Sequence, residues 1–216
     1  MVGLNVINLF VLNHMKFDKI KFFEEKIELG ITTLKNLYKF KNKNINKNKR
    51  IIFIDGLPGA GKSTYLKKMN VENKILEPIS IQEIEKYISN KILYGLDFQK
   101  TIIENKINLI TVNIKTNKNI WVERHWLSDI ALAKISLNNY EFYEYLNYIK
   151  PIINKFILEC QNNNYEIKRH TISKSINECL EHIKKRGIVS EISYYNEKNL
   201  SLIEYETENL FKNYIY

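Results

Sequence analysis

Two hydrophobic patterns alternate along the chain. Short runs of β-branched and aromatic residues, which are typical of buried strands, occur at 51–55, 74–77, 119–123 and 167–172. Longer segments repeat an apolar residue every three or four positions, which is typical of amphipathic helices. These predicted helices are 16–38, 62–70, 80–93, 97–115, 126–137, 140–162, 175–186 and 193–213. Strands that alternate with helices predict an α/β fold, here a parallel sheet of about four strands wrapped by many helices.

Pro151 lies inside the predicted helix 140–162. Proline lacks a backbone N–H, and its ring collides with the preceding helical turn. We therefore expect Pro151 to kink or interrupt this helix.

The first 50 residues stand apart from this pattern. The predicted helix 16–38 carries apolar residues mostly three or four positions apart, at Phe17, Ile20, Ile27, Ile31, Leu34 and Leu37. So short a segment cannot form a core alone, and it must pack on its own body or on a neighbouring chain. The polar tract that follows makes exchange between chains geometrically easy. We expect a helical arm and basic linker over 1–50 and a second domain over 51–216. Exchange of the arm between chains would build a homo-oligomer or a lattice through residues 1–50, and this is the expected partner arrangement.

Charge is concentrated in that linker. The 216 residues carry a formal net charge of +9, of which +7 lies in residues 35–50. We interpret this tract as a solvated spacer, with binding to an acidic partner, an anionic surface or nucleic acid as the alternative. It has no aromatic ladder to stack bases, which argues against nucleic acid. The abundance of Lys, Asn, Ile, Tyr and Phe is typical of an AT-rich genome.

The sequence predicts an intracellular protein without a signal peptide or a membrane partner. Residues 2–12 are apolar, but they lack a preceding basic residue and a cleavage site, and the run is too short to span a bilayer. Cys160 and Cys179 are expected to be reduced thiols, with a disulfide as the alternative. Neither these thiols nor the histidines have the spacing of a zinc site.

A glycine-rich loop follows the first strand of the body. The strand Ile-Ile-Phe-Ile-Asp is followed directly by Gly-Leu-Pro-Gly-Ala-Gly-Lys-Ser-Thr, and a helix then begins. This order of strand, loop and helix is the context of a phosphate-binding loop, or P-loop. Glycine lets backbone N–H groups approach an anion, and the helix N-terminus adds favourable potential. The predicted nucleotide-binding residues are Gly56, Gly59, Gly61, Lys62, Ser63 and Thr64.

Two of these residues have further roles in a P-loop. Lys62 is predicted to reach the β- and γ-phosphates of a nucleotide, and the Ser63 hydroxyl is predicted to bind Mg²⁺.

Three dipeptides follow the P-loop in a specific order. They are Glu77-Pro78 after the second strand, Phe98-Gln99 in a helical run, and Glu123-Arg124 after the third strand. In this order they resemble the deoxynucleoside kinases, including viral thymidine kinases, over about residues 51–208. If the three strands are parallel neighbours, their carboxyl ends bring these residues to one edge of the sheet, where α/β proteins bind ligands.

The resemblance implies a role for each matching residue. Glu77 matches the general base that takes the proton from the nucleoside 5′-hydroxyl, and Arg124 matches the arginine beside the transferring phosphoryl group. Gln99 matches the amide that binds the base edge, and Asp129 matches the acidic residue near the base. Glu123 fits the carboxylate that supports Mg²⁺. The implied cofactors are ATP and Mg²⁺.

The region that matches the family's lid departs from its pattern. The family carries several arginines over the phosphates, and the matching stretch here is residues 182–191. Arg186 is retained as a catalytic arginine, and Glu191 is retained where the family contacts the sugar 3′-hydroxyl. His182 and Ile188 replace two arginines, and lysine is only a partial substitute on phosphate oxygens.

Two functions are compatible with these observations. The first is an ATP-dependent kinase that phosphorylates the 5′-hydroxyl of a deoxynucleoside. The alternative is a viral structural protein that keeps the fold and functions by self-assembly, such as the occlusion-body (polyhedrin-type) matrix of an insect virus. The incomplete lid and the N-terminal arm favour the second, and the retained Lys62, Ser63, Glu77, Gln99 and Arg124 favour the first.

Overall fold

A computed structural model describes residues 21–34, 49–116 and 118–212. Helix α1 covers 21–34. The elements that follow are β1 Lys49–Asp55, α2 Lys62–Lys68, β2 Lys74–Ile75, α3 Ile81–Ser89, α4 Lys91–Ile114, β3 Ile120–Glu123, α5 Trp126–Ser136, α6 Asn139–Asn162, β4 Tyr165–Thr171, α7 Ile176–Arg186, α8 Val189–Tyr194 and α9 Glu197–Phe211.

The strands form one parallel sheet in the order β2-β3-β1-β4. The register pairs Ile54 of β1 with Glu123 of β3, and Asp55 with Thr171 of β4. The carboxyl ends of the three longer strands therefore lie side by side, with the P-loop leaving the central one. The predicted α/β fold, a four-stranded parallel sheet wrapped by many helices, is confirmed.

The main hydrophobic core lies between the sheet and the long helices. The side chains of Ile51, Phe53, Ile120 and Val122 are fully buried there. Each such side chain stabilises the fold by about 1.5–3 kcal/mol relative to leaving it exposed. The sheet is thus a rigid platform for the loops at its carboxyl edge.

Helix α6 contains Pro151 and runs through it, so the expected interruption is wrong, while the alternative of a kink stays a prediction. Proline removes the hydrogen bond to the carbonyl four residues earlier, which belongs to Asn147. Pro151 and Asn147 both lie on the exposed face of α6. Water can therefore solvate the freed carbonyl, and the helix continues.

Two helix boundaries lie at asparagine caps that the prediction did not place. Asn90 ends α3, and its side chain accepts a hydrogen bond from the N–H of Leu93 to begin α4. Asn196 separates α8 from α9 and accepts from the N–H of Asn199. Asparagine is among the preferred N-cap residues because its side chain binds an N–H that has no partner within the helix. The boundary between the predicted helices 80–93 and 97–115 therefore lies at Asn90, and the predicted helix 193–213 is two helices.

Helix α1 packs on α6 of its own chain, one of the two arrangements expected for it. Leu34 is buried in the main core, and the ring of Phe23 contacts Tyr140 and Tyr143 at centroid distances of 5.7 and 5.8 Å. The remaining predicted arm and most of the linker, 1–20 and 35–48, lie outside the described residues. Exchange between chains stays a prediction.

Within the described ranges, no helix has both the length and the apolar content needed to cross a membrane. Cys160 and Cys179 are buried free thiols, which agrees with the expected reduced state.

Candidate active site

A cavity of about 970 Å³ opens at the carboxyl edge of the sheet. The P-loop forms one side, and α3, α4, α7 and α8 surround the rest. The predicted site residues that line it are Gly59, Gly61, Lys62, Ser63, Thr64, Glu77, Gln99, Glu123, Arg124, Arg186 and Glu191. Gly56 and Asp129 are absent from this lining. The structure thus brings together residues that are far apart in sequence.

Glycines shape the P-loop through left-handed backbone and close contacts. Gly56 and Gly59 have φ of 136° and 82°. A Cβ on Gly56 would lie 2.5 Å from the carbonyl oxygen of Ile172, and one on Gly59 would lie 2.3 Å from that of Cys179. Both positions therefore require glycine. These contacts also fix the loop against the end of β4 and against α7.

Lys62 begins α2 and points back over the loop. Its Nζ donates to the carbonyl oxygens of Gly56 at 3.0 Å and Leu57 at 2.9 Å. Burial lowers the pKa of Lys62 to about 8, and the charge of Arg124 adds to this effect, while nearby carboxylates oppose it. The ammonium is still the main form at neutral pH, as a phosphate-binding group requires.

Ser63 and Glu123 present oxygen atoms to the cavity side by side. The Ser63 hydroxyl donates to Oε1 of Glu123 at 2.6 Å, and the N–H of Glu77 donates to Oε2 at 3.3 Å. Hydroxyl and carboxylate oxygens suit Mg²⁺, which takes its remaining ligands from water and substrate phosphates. Among the described residues, no group of three or more His, Cys, Asp or Glu could hold a metal without such help. The pair therefore fits a Mg²⁺ ion that arrives with a nucleotide.

Glu77 and Arg124 form an ion pair in the cavity. Nε of Arg124 lies 3.1 Å from Oε1 of Glu77. Burial alone would raise the pKa of Glu77, but the charges of Arg124, Lys106, Lys62 and Arg186 together hold it below its usual value. Glu77 is therefore ionised at neutral pH, the state in which a carboxylate can accept a proton.

Lys106 is a residue that sequence reasoning missed. It is fully buried on α4, and its Nζ donates to Oδ2 of Asp129 at 2.6 Å and to the carbonyl oxygen of Arg124 at 3.3 Å. Burial raises the pKa of Asp129 to about 6, and the Glu77 charge adds to this rise, while Lys106 opposes it. Asp129 is a buried partner of Lys106, and its predicted place near the base stays a prediction.

A signal for Lys106 is present in the sequence. It lies seven positions after Gln99, which places both on one face of a helix, and a charged residue on a buried face indicates a buried partner.

Aromatic side chains form the end of the cavity near Gln99. Gln99 is buried with 4% of its surface exposed. The neighbouring Phe98 stacks on Tyr87 with ring centroids 4.3 Å apart and planes 3° apart. Tyr194 and Tyr195 line the same cavity. A flat apolar slot with one amide at its edge is suited to a heterocyclic base.

Helices α7 and α8 occupy the position of the predicted lid. Nη1 of Arg186 lies 3.3 Å from the Glu191 carboxylate, so these two predicted residues are paired with each other. Ile188 lines the cavity with an apolar side chain. His182 contacts the P-loop, with Nδ1 2.9 Å from the carbonyl oxygen of Gly59.

Solved structures with this arrangement of strands and helices are known. The structure of deoxyadenosine kinase from M. mycoides with bound dATP matches with a TM-score of 0.60 and 21% sequence identity, over 77% of this chain and 86% of that chain. A second structure of that kinase, with bound dCTP, matches with a TM-score of 0.55 and 19% identity, over 76% and 83% of the two chains. No protein-family model and no curated protein sequence matches the chain. The chain therefore has the fold of the P-loop nucleoside kinases.

Proposed function

We propose that this protein transfers the γ-phosphoryl group of ATP to the 5′-hydroxyl of a deoxynucleoside. The observation that carries the proposal is the placement of the Glu77–Arg124 pair in the same cavity as the P-loop. A phosphate-binding loop alone is compatible with many reactions. A carboxylate held ionised beside a guanidinium, opposite the loop, supplies a base for an acceptor hydroxyl.

Each step of the transfer has a group in this cavity. Glu77 accepts the proton of the 5′-hydroxyl as that oxygen bonds to the γ-phosphorus. The bond from the γ-phosphorus to the β,γ-bridging oxygen breaks, and ADP leaves with that electron pair. Lys62 and Arg124, which line the same cavity, supply positive charge for the γ-phosphoryl oxygens.

Ser63 and Glu123 would hold Mg²⁺ when the nucleotide binds. The ion would neutralise charge on the β- and γ-phosphate oxygens. The two side chains hydrogen-bond to each other, so their oxygen atoms face one point.

The acceptor base would occupy the slot beside Gln99. Its amide offers one acceptor and two donors, which suits the edge of a purine or a pyrimidine. Phe98 and Tyr87 provide a flat wall for the base. The structural neighbours are deoxyadenosine kinases, so deoxyadenosine is the first acceptor to test.

Turnover with a panel of deoxynucleosides tests this function. We expect purified protein with Mg·ATP to phosphorylate at least one of them, and Glu77→Gln to reduce kcat by about 10²- to 10⁴-fold, because the amide cannot accept the proton. Glu85→Gln is the matched control, since Glu85 is exposed on α3, and it should retain wild-type kcat. Equal rates for Glu77→Gln and wild type would contradict the assignment of the base.

Self-assembly remains the second candidate function. The apolar Ile188 in the lid is the observation that favours it, because a lid that lacks a cation there gives weaker charge neutralisation. The matrix-protein and viral interpretations stay predictions. Absence of turnover with every deoxynucleoside, together with spontaneous ordered assembly, would favour this candidate over the kinase.

A further inference from the structure

Tyr194 is the last residue of helix α8, and its side chain lines the cavity. Nζ of Lys91 lies 3.3 Å from the centroid of the Tyr194 ring. Lys91 is the first residue of α4, the helix that carries Gln99. This cation–π contact therefore joins the end of α8 to the helix that presents the amide of the proposed base site.

The surroundings of Lys91 strengthen this contact. Burial lowers the pKa of Lys91 below its usual value, so the ammonium has lost part of its hydration. A desolvated cation is attracted to an aromatic face more strongly than an exposed one. Nζ of Lys91 also lies 5.9 Å from the centroid of the Tyr87 ring. The ammonium is thus shared between two rings that line the cavity.

The backbone of Tyr194 is held by the next helix. The Asn199 side chain of α9 donates to the carbonyl oxygen of Tyr194 at 2.7 Å. At the other end of α8, no side chain caps the helix, and Val189 in its first turn is exposed. The contacts at Tyr194 therefore fix the C-terminal end of α8, through the backbone and through the ring.

Tyr194 lies next to the aromatic wall of the slot beside Gln99. Burial raises the pKa of Tyr87 above its usual value, and the neighbouring Tyr194 adds to this rise, while Ser136 opposes it. Tyr87 in turn stacks on Phe98. A movement of the Tyr194 ring would therefore change the shape of this slot, whereas the P-loop forms another side of the cavity.

We propose that Lys91 is a positioning residue for the acceptor nucleoside, because it holds the ring of Tyr194 as a wall of the base slot. Lys91 itself does not line the cavity, so it acts through this ring rather than by contact with the ligand. The affinity for the acceptor depends on the contact between Lys91 and Tyr194, and the affinity for ATP does not. The inference rests on the acceptor site of the proposed function.

Equilibrium binding without turnover tests the proposal. For wild type, Lys91→Met and Lys91→Arg, we would measure the Kd of deoxyadenosine, deoxyguanosine, deoxycytidine and thymidine, and separately the Kd of ATP. Lys100→Met is the matched control. Lys100 lies on the same helix, its Nζ is 5.1 Å from the ring centroid of Tyr148, and neither residue lines the cavity. Urea unfolding of each variant measures any effect on the fold.

The expected result is a loss of acceptor affinity for one variant only. Lys91→Met should raise the Kd of the best-bound deoxynucleoside by about 3- to 20-fold, the range of a cation–π contact, and change the Kd of ATP by less than about twofold. Lys91→Arg should bind the acceptor like wild type, because a guanidinium also binds an aromatic face. Lys100→Met should leave both constants unchanged.

A double-mutant cycle shows whether Lys91 acts through the ring of Tyr194. Tyr194→Leu keeps an apolar side chain but offers no aromatic face to a cation. In that background, most of the effect of Lys91→Met on acceptor affinity should disappear. Tyr194→Phe keeps the ring, and in its background Lys91→Met should have its full effect. A full effect in the Tyr194→Leu background would overturn the proposal.

An unchanged acceptor Kd for Lys91→Met would also overturn it, and so would an equal weakening of acceptor and ATP binding, which is the pattern of a general loss of structure. Should Lys91→Met unfold, equal acceptor affinity of Tyr194→Leu and Tyr194→Phe would overturn the proposal instead. If a deoxynucleoside binds with the expected pattern but is not phosphorylated, the kinase proposal fails and this one stands. If wild type binds no deoxynucleoside, both fail.

Discussion

One residue with an unusual backbone lies beside Glu77 in the cavity. Arg124 has φ of 63°, a left-handed conformation that is unfavourable for non-glycine residues by roughly 1–2 kcal/mol. Its N–H donates to the carbonyl oxygen of Ile54 at 2.9 Å, and its carbonyl oxygen accepts from Lys106. The N–H and the carbonyl oxygen of Arg124 are thus held by β1 and α4. Lys106 is therefore a positioning residue: it holds the backbone of Arg124, and its charge also acts on Glu77.

Lys106→Met should reduce kcat more than it raises the KM for the nucleoside. The change removes the hydrogen bond to the Arg124 carbonyl oxygen and leaves the aromatic slot beside Gln99 unchanged. It should also destabilise the fold by about 3–5 kcal/mol, since the Asp129 carboxylate is left buried without a counter-charge. Steady-state kinetics and urea unfolding measure the two effects.

The double variant Lys106→Met, Asp129→Asn separates positioning from stability. Removing both charges should recover most of the lost stability but leave kcat low. Asp129→Asn alone keeps Lys106 on the Arg124 carbonyl and should retain most of kcat. Recovery of kcat in the double variant would contradict the positioning role.

At the scale of elements, the P-loop and helix α7 share one contact surface. The backbone of α7 lies against Gly59 at Cys179, and the side chain of His182 lies against the same glycine. Leu57 and Ala60 of the loop pack with Cys179 in a small second core. The loop is therefore supported from outside by a helix that also carries Lys185 and Arg186 toward the cavity.

Gly59→Ala should weaken both the fold and nucleotide binding. The added Cβ meets backbone atoms of α7, which must move away, and the residue also has positive φ. Gly187→Ala is the matched control, because Gly187 has φ of 73° with nothing within 4 Å of an added Cβ. Gly187→Ala should lower the free energy of unfolding by roughly 1–2 kcal/mol, because alanine is unfavourable at a positive φ.

Urea unfolding and ATP titration compare the two glycine variants. We expect Gly59→Ala to exceed Gly187→Ala in destabilisation and to bind ATP more weakly than wild type. Equal destabilisation with unchanged ATP affinity would mean that α7 does not support the loop.

At the scale of the whole molecule, a buried ion-pair network joins the sheet to the C-terminal helix. Arg169 of β4 donates to Asp55 at the end of β1, at 2.7 Å, and its guanidinium lies 3.6 Å from the ring centroid of Phe211 in α9. Asp55 also accepts from the Ser128 hydroxyl of α5 at 2.8 Å. Two strands and one helix therefore meet at the Asp55 carboxylate, next to the first residue of the P-loop, and α9 joins them through Arg169.

The protonation of Asp55 links this network to acid stability. Burial alone would raise the pKa of Asp55, but the Arg169 charge and the hydrogen bonds outweigh it, and the pKa lies below the usual 3.8. A carboxyl with a lowered folded pKa stabilises the fold above its unfolded pKa, and the stabilisation is lost as pH falls through the folded value.

Arg169→Met should destabilise the protein by about 3–5 kcal/mol at neutral pH, because Asp55 is then buried without its counter-charge. The deficit should shrink as pH falls, since protonation of Asp55 removes the uncompensated charge. Lys168→Met is the control: Lys168 is an exposed neighbour in a surface ion pair, and we expect less than about 0.5 kcal/mol. Urea unfolding over a pH series measures both variants, and a deficit that is independent of pH would contradict this account.

Much of the fold was predictable because its signals are local. The alternation of strands and helices predicted the α/β class, and residues 56–64 predicted the P-loop, since both signals depend on neighbouring residues. The boundaries at Asn90 and Asn196 were missed because a cap is recognised by its hydrogen bond, and asparagine also occurs inside helices.

By itself the sequence determined the class of fold, the P-loop and the order of the residues that line the cavity. Only the tertiary structure decided which distant residues contact each other at this site. Lys106 meets Asp129 across 23 positions, and His182 meets Gly59 across 123. Such pairs follow from how α4 and α7 pack on the sheet, and packing depends on the shapes of many side chains together rather than on any short motif.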